Sequence, residues 1–225
     1  MVGSTGSKSN PLPVPETVKF AAELVEGTRA RKTFARLAAA VLELAVEQDI
    51  SKASVAQVAR RAGVNRTTFY KYSSSPVELL VSVLSHELDK VRETFTRLRK
   101  TPGADPKEVF ARSARSYYLH VSKHARIYSA GHTSTALVIR DVLAEHIRGA
   151  VRLMFEEQLE TLPFDAPGSL EIFAAFYGHG VAAATEAWLA MPEPRNMLQL
   201  QEILVGSLPS WLSYSKSAEY AGSDT

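Results

Sequence analysis

Apolar residues recur at three- and four-residue steps along most of the chain, which is the spacing of helix faces rather than of strands. In "TFARLAAAVLELAVEQ" (33–48), Phe34, Leu37, Ala38, Val41, Leu42, Ala45 and Val46 fall on one such face. The alanines and leucines there are strong helix formers. A second helix is predicted from Ser54, where "SVAQ" has the form of a capping box: the Ser54 hydroxyl and the Gln57 side chain satisfy free N–H groups of the first turn. Gly63 interrupts it. Asn65 is a good N-cap for a third helix reaching about Tyr72. Ser75 and Pro76 then suit the N-cap and first position of a longer helix, 76–100. Its apolar side carries Leu79, Leu80, Val83, Leu84, Leu88, Val91, Phe95 and Leu98.

"TPGADP" (101–106) is the strongest break by composition. Beyond it the pattern predicts helices over 106–121, 124–130, 134–162 and 169–190, and a last one reaching about 214. "PFDAPG" and "MPEP" separate the later ones. There is no β-alternation of useful length and no repeat, so the expected fold class is all-α. The chain divides into an arm at 1–27, a three-helix head at 28–75, a helical body at 76–214 and a loose tail at 215–225. The arm begins MVGSTGSKSNPLPVP and is rich in Gly, Ser and Pro, the composition of a flexible segment.

Composition narrows the function classes. Of 225 residues, 45% are hydrophobic and 22% charged, which is enough apolar content for a sizeable core. There is no cysteine, which excludes disulfides and thiolate metal sites and makes a reducing cytoplasm the expected compartment. No run of about 18 apolar residues predicts a membrane span, and the first residues lack the apolar core of a signal peptide. Net charge is only +2, but it is unevenly placed. Residues 28–72 hold nine basic against three acidic side chains, or +6, which leaves −4 for the remainder. A basic segment on an acidic body suggests a local polyanion site. By charge alone, a solvated basic face fits equally well.

The densest chemistry lies in "ARRAGVNRTTFYKYSSSP" (59–76). Two short helices joined by "AGV", with glycine at the sharp turn, have helix-turn-helix geometry. Val55, Val58, Ala59, Ala62, Val64 and Phe69 are spaced to pack against Phe34, Leu37 and Val41 of the first helix. Arg66, Thr67, Tyr70 and Lys71 remain outside on the third. Arginine can grip guanine O6 and N7, a threonine methyl can touch a thymine methyl, and hydroxyls can bond phosphate oxygens. Phe69 then faces protein, while Tyr70 and Tyr72 can face a DNA backbone. The plainer alternative is a small helical domain with a basic surface.

"SVAQVARRAGVNRTTFYKY" followed by "ELLVSVL" closely resembles the DNA-binding region of TetR-family transcriptional regulators. Val55, Val58, Ala59, Ala62, Gly63, Val64, Tyr70, Tyr72, Leu79 and Leu80 fall on that family's pattern, and the resemblance covers about residues 30–84. It implies an N-terminal helix-turn-helix DNA-binding domain and a C-terminal helical-bundle domain for ligand binding and dimerisation. It implies that Ser54 is a phosphate contact, that Arg66 and Thr67 read base edges, and that Thr68, Tyr70 and Tyr72 contact phosphate or sugar. Two positions depart from the pattern. Ser73 stands where the family usually has phenylalanine, and Pro76 where it often has a phosphate-contacting lysine. Lys71, Lys52 or an arginine of the N-terminal stretch are the candidates to compensate; Arg29, Arg31 and Lys32 suit either a basic arm in an adjacent groove or a solvated terminus.

In the body, "FAAFYGHGVAAATEAWL" (173–189) repeats small residues at four-residue spacing. Helical glycines cost about 1 kcal/mol each relative to alanine, so Gly178 and Gly180 suggest a close approach. The resemblance makes a second subunit the neighbour, with Ala174, Gly178, Ala182 and Trp188 at a homodimer interface; close packing within one chain, or against a ligand, is the alternative. Phe110, Tyr117, Tyr118, Phe155, Phe173, Phe176 and Tyr177, with Met154, are the candidates to line an apolar cavity for a small apolar or amphipathic ligand; plain core is their alternative. His120 and His124 stand one helical turn apart, but the sequence between them carries Lys123 and no zinc-protease glutamate, so no metal and no cofactor is expected. No catalytic residue and no enzymatic motif stands out. The leading expectation is a dimeric regulator that binds a pseudo-palindromic double-stranded DNA operator as a repressor released by a ligand, with no membrane association. The alternative is a helical ligand-binding or interaction protein with a degenerate DNA-binding half.

Overall fold

A computed structural model describes residues 28–102, 106–129, 134–156, 162–164, 166–207 and 209. The arm at 1–27, the tail at 215–225 and the predicted end of the last helix lie outside them. The described residues form helices and connecting turns, with no strand among them. They comprise α1 (Thr28–Glu47), a 3-10 turn (Ile50–Lys52), α2 (Val55–Ala62), α3 (Arg66–Tyr70), α4 (Pro76–Arg99), α5 (Pro106–Lys123), α6 (Ala125–Tyr128), α7 (Ser134–Glu156), α8 (Ser169–Leu189) and α9 (Met197–Gly206). None is long and apolar enough to cross a membrane.

The short helices begin where side chains satisfy their first N–H groups. Ser54 caps α2 in a full capping box with Gln57, Asn65 caps α3 by accepting from Thr68 N–H at 2.7 Å, and Ser75 caps α4 ahead of Pro76. Gly63 ends α2 at φ +61°, a left-handed conformation that costs a side chain about 1–2 kcal/mol. Its carbonyl accepts from the Arg36 guanidinium, so α1 holds the turn between α2 and α3.

α1 starts five residues before the predicted position, because its first turns are polar and solvent-facing and leave no apolar trace. α3 stops at Tyr70 rather than Tyr72, since the N–H groups of Lys71 and Tyr72 close tight turns onto Thr68 and Phe69. Leu37, Val41, Val58, Ala59, Ala62 and Phe69 form the core of the head and join Leu79, Leu80, Val83 and Leu84 of α4 in one continuous apolar cluster. The cluster runs on through Tyr118, Val121 and Ile127 to Ala182 and Leu189 of α8. α4 is therefore shared by the head and the body. A second link is polar: Thr135 at the start of α7 donates to Asp49 Oδ1 at 3.0 Å.

The stripe of small residues on α8 faces α7 of the same chain. Ala174, Gly178 and Ala182 are buried, and a Cβ added at Gly178 would sit 2.7 Å from the Ala144 carbonyl oxygen. Trp188 is also buried, with its indole N–H donating to the Asn196 carbonyl at 3.0 Å. These four residues are thus committed inside the chain, which corrects the expectation that they form the surface offered to a second subunit. Gly178→Ala is expected to destabilise the protein by about 1–3 kcal/mol despite alanine's better helix propensity, because its methyl meets backbone that cannot yield. Urea denaturation of the two proteins checks this.

Candidate nucleic-acid interface

α3 is only five residues long and is held by one buried side chain, Phe69. Its opposite side is open. Arg66, Thr67, Tyr70 and Lys71 are exposed, and Thr68 is half-buried. Tyr70 is 60% exposed and its ring rests edge-on against Phe69, with ring centroids 5.8 Å apart. Phe69 therefore anchors the helix and also sets the direction of its neighbour. Around this surface, Arg60, Lys52, Arg29 and Lys32 are exposed as well.

Several basic residues have work inside the head. Arg61 reaches Glu47 at 2.7 Å and Glu43 at 3.9 Å, so it braces α2 against α1. The hydrogen bond from Arg61 holds the Glu47 carboxyl below its ordinary range. Arg36 is engaged at Gly63. The positive field at α3 is thus carried by fewer groups than the sequence count suggests.

Ser54 is exposed, but its hydroxyl accepts from Gln57 N–H at 3.2 Å and lies 3.0 Å from Gln57 Oε1. Tyr72 is half-buried, its ring 6.2 Å from Phe34 and its hydroxyl donating to the Ala30 carbonyl at 3.4 Å. Ser73 is buried and its hydroxyl donates to the Ser75 carbonyl at 3.0 Å. The aromatic packing missing at position 73 has a local counterpart in the Phe34–Tyr72 pair, which Phe34 extends to His86 at 6.2 Å. The Arg36 brace and the Asp49–Thr135 link escaped sequence reasoning, since each partner lies far along the chain with no motif joining them.

The residues expected to line a ligand cavity separate into two groups. Tyr117 and Tyr118 are buried in the body, with Tyr117 stacked on His146 at 6.1 Å and its hydroxyl 3.0 Å from Thr185 Oγ1. Burial raises both phenol pKa values, that of Tyr118 to about 12. Phe155, Phe173 and Tyr177 form a second, half-buried cluster, with Phe173 5.8 Å from Phe155 and 4.7 Å from Tyr177, while Phe176 is exposed. The Phe110 side chain lies outside the described residues. Among the described residues, none of these lines either of two open grooves. One, of about 470 Å³, is bordered by Arg92, Glu93, Thr96, Arg97, Lys100 and Leu153. The other, of about 400 Å³, lies where α1, the 3-10 turn, α6 and α7 meet, and includes Asp49 and Thr135.

A trihelical head with a short exposed recognition-type helix, set on a helical body through a shared long helix, defines a helix-turn-helix protein. Residues 37–83 match the sequence profile of bacterial regulatory proteins of the TetR family, so the head and the start of α4 are similar to theirs. The fold is similar to that of several solved regulators. The fatty acid degradation regulator FadR of Bacillus halodurans is 15% identical, with 78% of this chain and all of that chain aligned at a TM-score of 0.54. Thermus thermophilus FadR, a TetR-family transcriptional repressor solved in complex with lauroyl-CoA, is 20% identical over 77% of this chain and 91% of that one, also at 0.54. SmeT, the repressor of the Stenotrophomonas maltophilia multidrug efflux pump SmeDEF, is 13% identical over 77% and 88% at 0.51. No curated protein matches the chain.

Proposed function

We propose that the chain is a dimeric, sequence-specific DNA-binding repressor released by a small apolar or amphipathic ligand. The observation that carries this reading is the two-sided α3: Phe69 is fully buried, while Arg66, Thr67, Tyr70 and Lys71 face outward together. The head at 28–75 is the DNA-binding unit. Arg66 and Thr67 read base edges, and Ser54, Thr68, Tyr70, Lys71 and Tyr72 contact phosphate or sugar. The capped N-termini of α2 and α3 favour the adjacent phosphates.

The body at 76–214 binds ligand and pairs two subunits. The pairing surface is formed by α8 and α9: Ile172 and Phe176 are exposed on the side of α8 opposite its buried stripe, and Leu198 and Ile203 are exposed on α9. Gly180 lies on that same outward side with open space around it, so a partner helix has room to approach closely. A two-fold dimer presents two recognition helices to a pseudo-palindrome. Phe176→Glu is expected to yield a monomer that still folds but binds operator far more weakly; sedimentation and circular dichroism on one sample check both halves.

His146 Nδ1 is buried without a hydrogen-bond partner among the described residues. Beside the Tyr117–Thr185 pair it supplies a polar anchor for a ligand whose remainder contacts the surrounding apolar side chains. Ligand entry there displaces α4, and α4 carries the head. The degree of release equals the ligand's preference for one spacing of the heads over the other. Selection of bound duplexes from a random pool tests the reading: the enriched DNA is expected to hold an inverted repeat with half-sites roughly 34–36 Å apart, or a multiple of that. A pool without enrichment leaves a helical ligand-binding protein instead.

A further inference from the structure

In sequence, the pair His120 and His124 has no third ligand beside it. In the fold, α4 supplies one. Glu87 Oε2 lies 2.7 Å from His124 Nε2 and 3.3 Å from His120 Nδ1. One donor atom from each of the three residues lies within 4.8 Å of the other two. Both imidazoles are buried, their ring centroids 4.9 Å apart, and Glu87 is a quarter exposed at the mouth of the cluster.

The surroundings suit a metal ion. The far nitrogen of His120, Nε2, lies 2.7 Å from the Tyr128 hydroxyl. With an ion on Nδ1, the ring proton sits on Nε2 and is donated to that oxygen. This is the outer hydrogen bond that metal-bound histidines commonly make. Two imidazoles and one carboxylate are the donor set of zinc and its neighbours, not of magnesium or calcium.

We propose that Glu87, His120 and His124 form a binding site for a divalent transition ion of the zinc class, clamping α4 to the junction of α5 and α6. Ligand bonds of about 2.0–2.2 Å in tetrahedral geometry place the donors about 3.3–3.5 Å apart. The Glu87–His120 separation already meets this, and the Glu87–His124 hydrogen bond opens by roughly 0.6–0.8 Å as the metal replaces its proton. Solvent fills the remaining position on the exposed side. Lys123 donates to both Glu87 oxygens, at 3.0 and 3.2 Å, and is largely exposed. It competes with the ion for the carboxylate and swings into solvent when the ion binds, so it lowers affinity without blocking the site. The site stands apart from the DNA-binding reading and is tested without DNA.

The full chain, free of any histidine tag and stripped by a chelator, is titrated with Zn2+ by calorimetry and with Co2+ by visible absorption. The expected result is one ion per chain, a raised thermal midpoint and a Co2+ spectrum of a low-symmetry nitrogen–oxygen site. Glu87→Gln, which keeps a hydrogen-bonding group at a partly exposed position, is expected to abolish all three, as is His124→Gln. Lys123→Ala is expected to tighten binding several-fold, which a purely structural hydrogen-bond cluster does not do. Each variant is first checked for folding; should His124→Gln fail, Glu87→Gln and Lys123→Ala carry the test. Absence of binding by the wild type, affinity unchanged in folded Glu87→Gln, or weaker binding in Lys123→Ala overturns the proposal.

Discussion

Phe69→Ala is expected to cost about 3–5 kcal/mol of stability, the range for removing a buried aromatic ring, and to eliminate operator binding. The reason is the shortness of α3. A five-residue helix has no stability of its own, and Phe69 is its only buried residue. Its ring is fully covered within the cluster formed with Leu37, Val41 and Val58. Without that ring, nothing holds Arg66 and Thr67 at a common angle. Urea denaturation measures the first effect and fluorescence anisotropy the second. Thr67→Ala is the contrasting case: Thr67 is exposed, so stability changes little while DNA affinity falls. A Phe69→Ala protein as stable as the wild type would show that α3 is held by something else.

His146 is expected to make the body acid-sensitive well above the carboxylate range. Its ring is buried and stacked on Tyr117, and burial, with Arg92 and His120 nearby, lowers its pKa from 6.5 to about 3. The unfolded chain therefore takes up this proton at a higher pH than the folded chain does. Stability is full above about pH 6.5 and falls as pH drops towards 3, by about 1.4 kcal/mol per pH unit for this one group. His146→Leu leaves no proton to take up, and its stability is expected to vary less steeply with pH by that amount. Denaturant unfolding at pH 7 and pH 5 in chelator-containing buffer compares the two. Equal slopes would place the His146 ring in contact with water.

The head was legible because its signals are local. Ser54, Asn65, Ser75 and Gly63 act on backbone groups within a few residues, so a capping pattern in sequence becomes a capping bond in the fold. The outward and inward sides of α3 followed from helix periodicity alone. The stripe at Ala174, Gly178 and Ala182 shows the limit. Small residues announce that something approaches closely, but not which helix does so, and α7 of the same chain takes the place expected for a partner. The exposed Ile172 and Phe176, which support pairing instead, look in sequence like ordinary positions of an apolar helix. The body's interior was the least legible part. Glu87 is 33 residues before His120, and Tyr117 meets Thr185 across a separation of 68, so no local pattern connects them.

α4 joins the head to the body. Leu79, Leu80, Val83 and Leu84 belong to the core of the head, and Glu87 reaches the His120–His124 pair in the body four residues after Val83. Displacement of this helix in the body moves the head, and the Asp49–Thr135 bond ties the two at a second point. In the proposed dimer, ligand binding in the body and the spacing of the heads are thereby linked in both directions.

The measurement that decides most directly is an anisotropy titration of wild type and Arg66→Ala on a selected duplex and on a scrambled one, each at low and moderate salt. Wild type is expected to prefer the selected duplex and to weaken steeply with salt, and the DNA-reading role of α3 rests on that preference. Arg66→Ala is expected to lose about 1–3 kcal/mol on the selected duplex and little on the scrambled one. Equal affinity of the two proteins for the selected duplex at both salt concentrations would contradict that role.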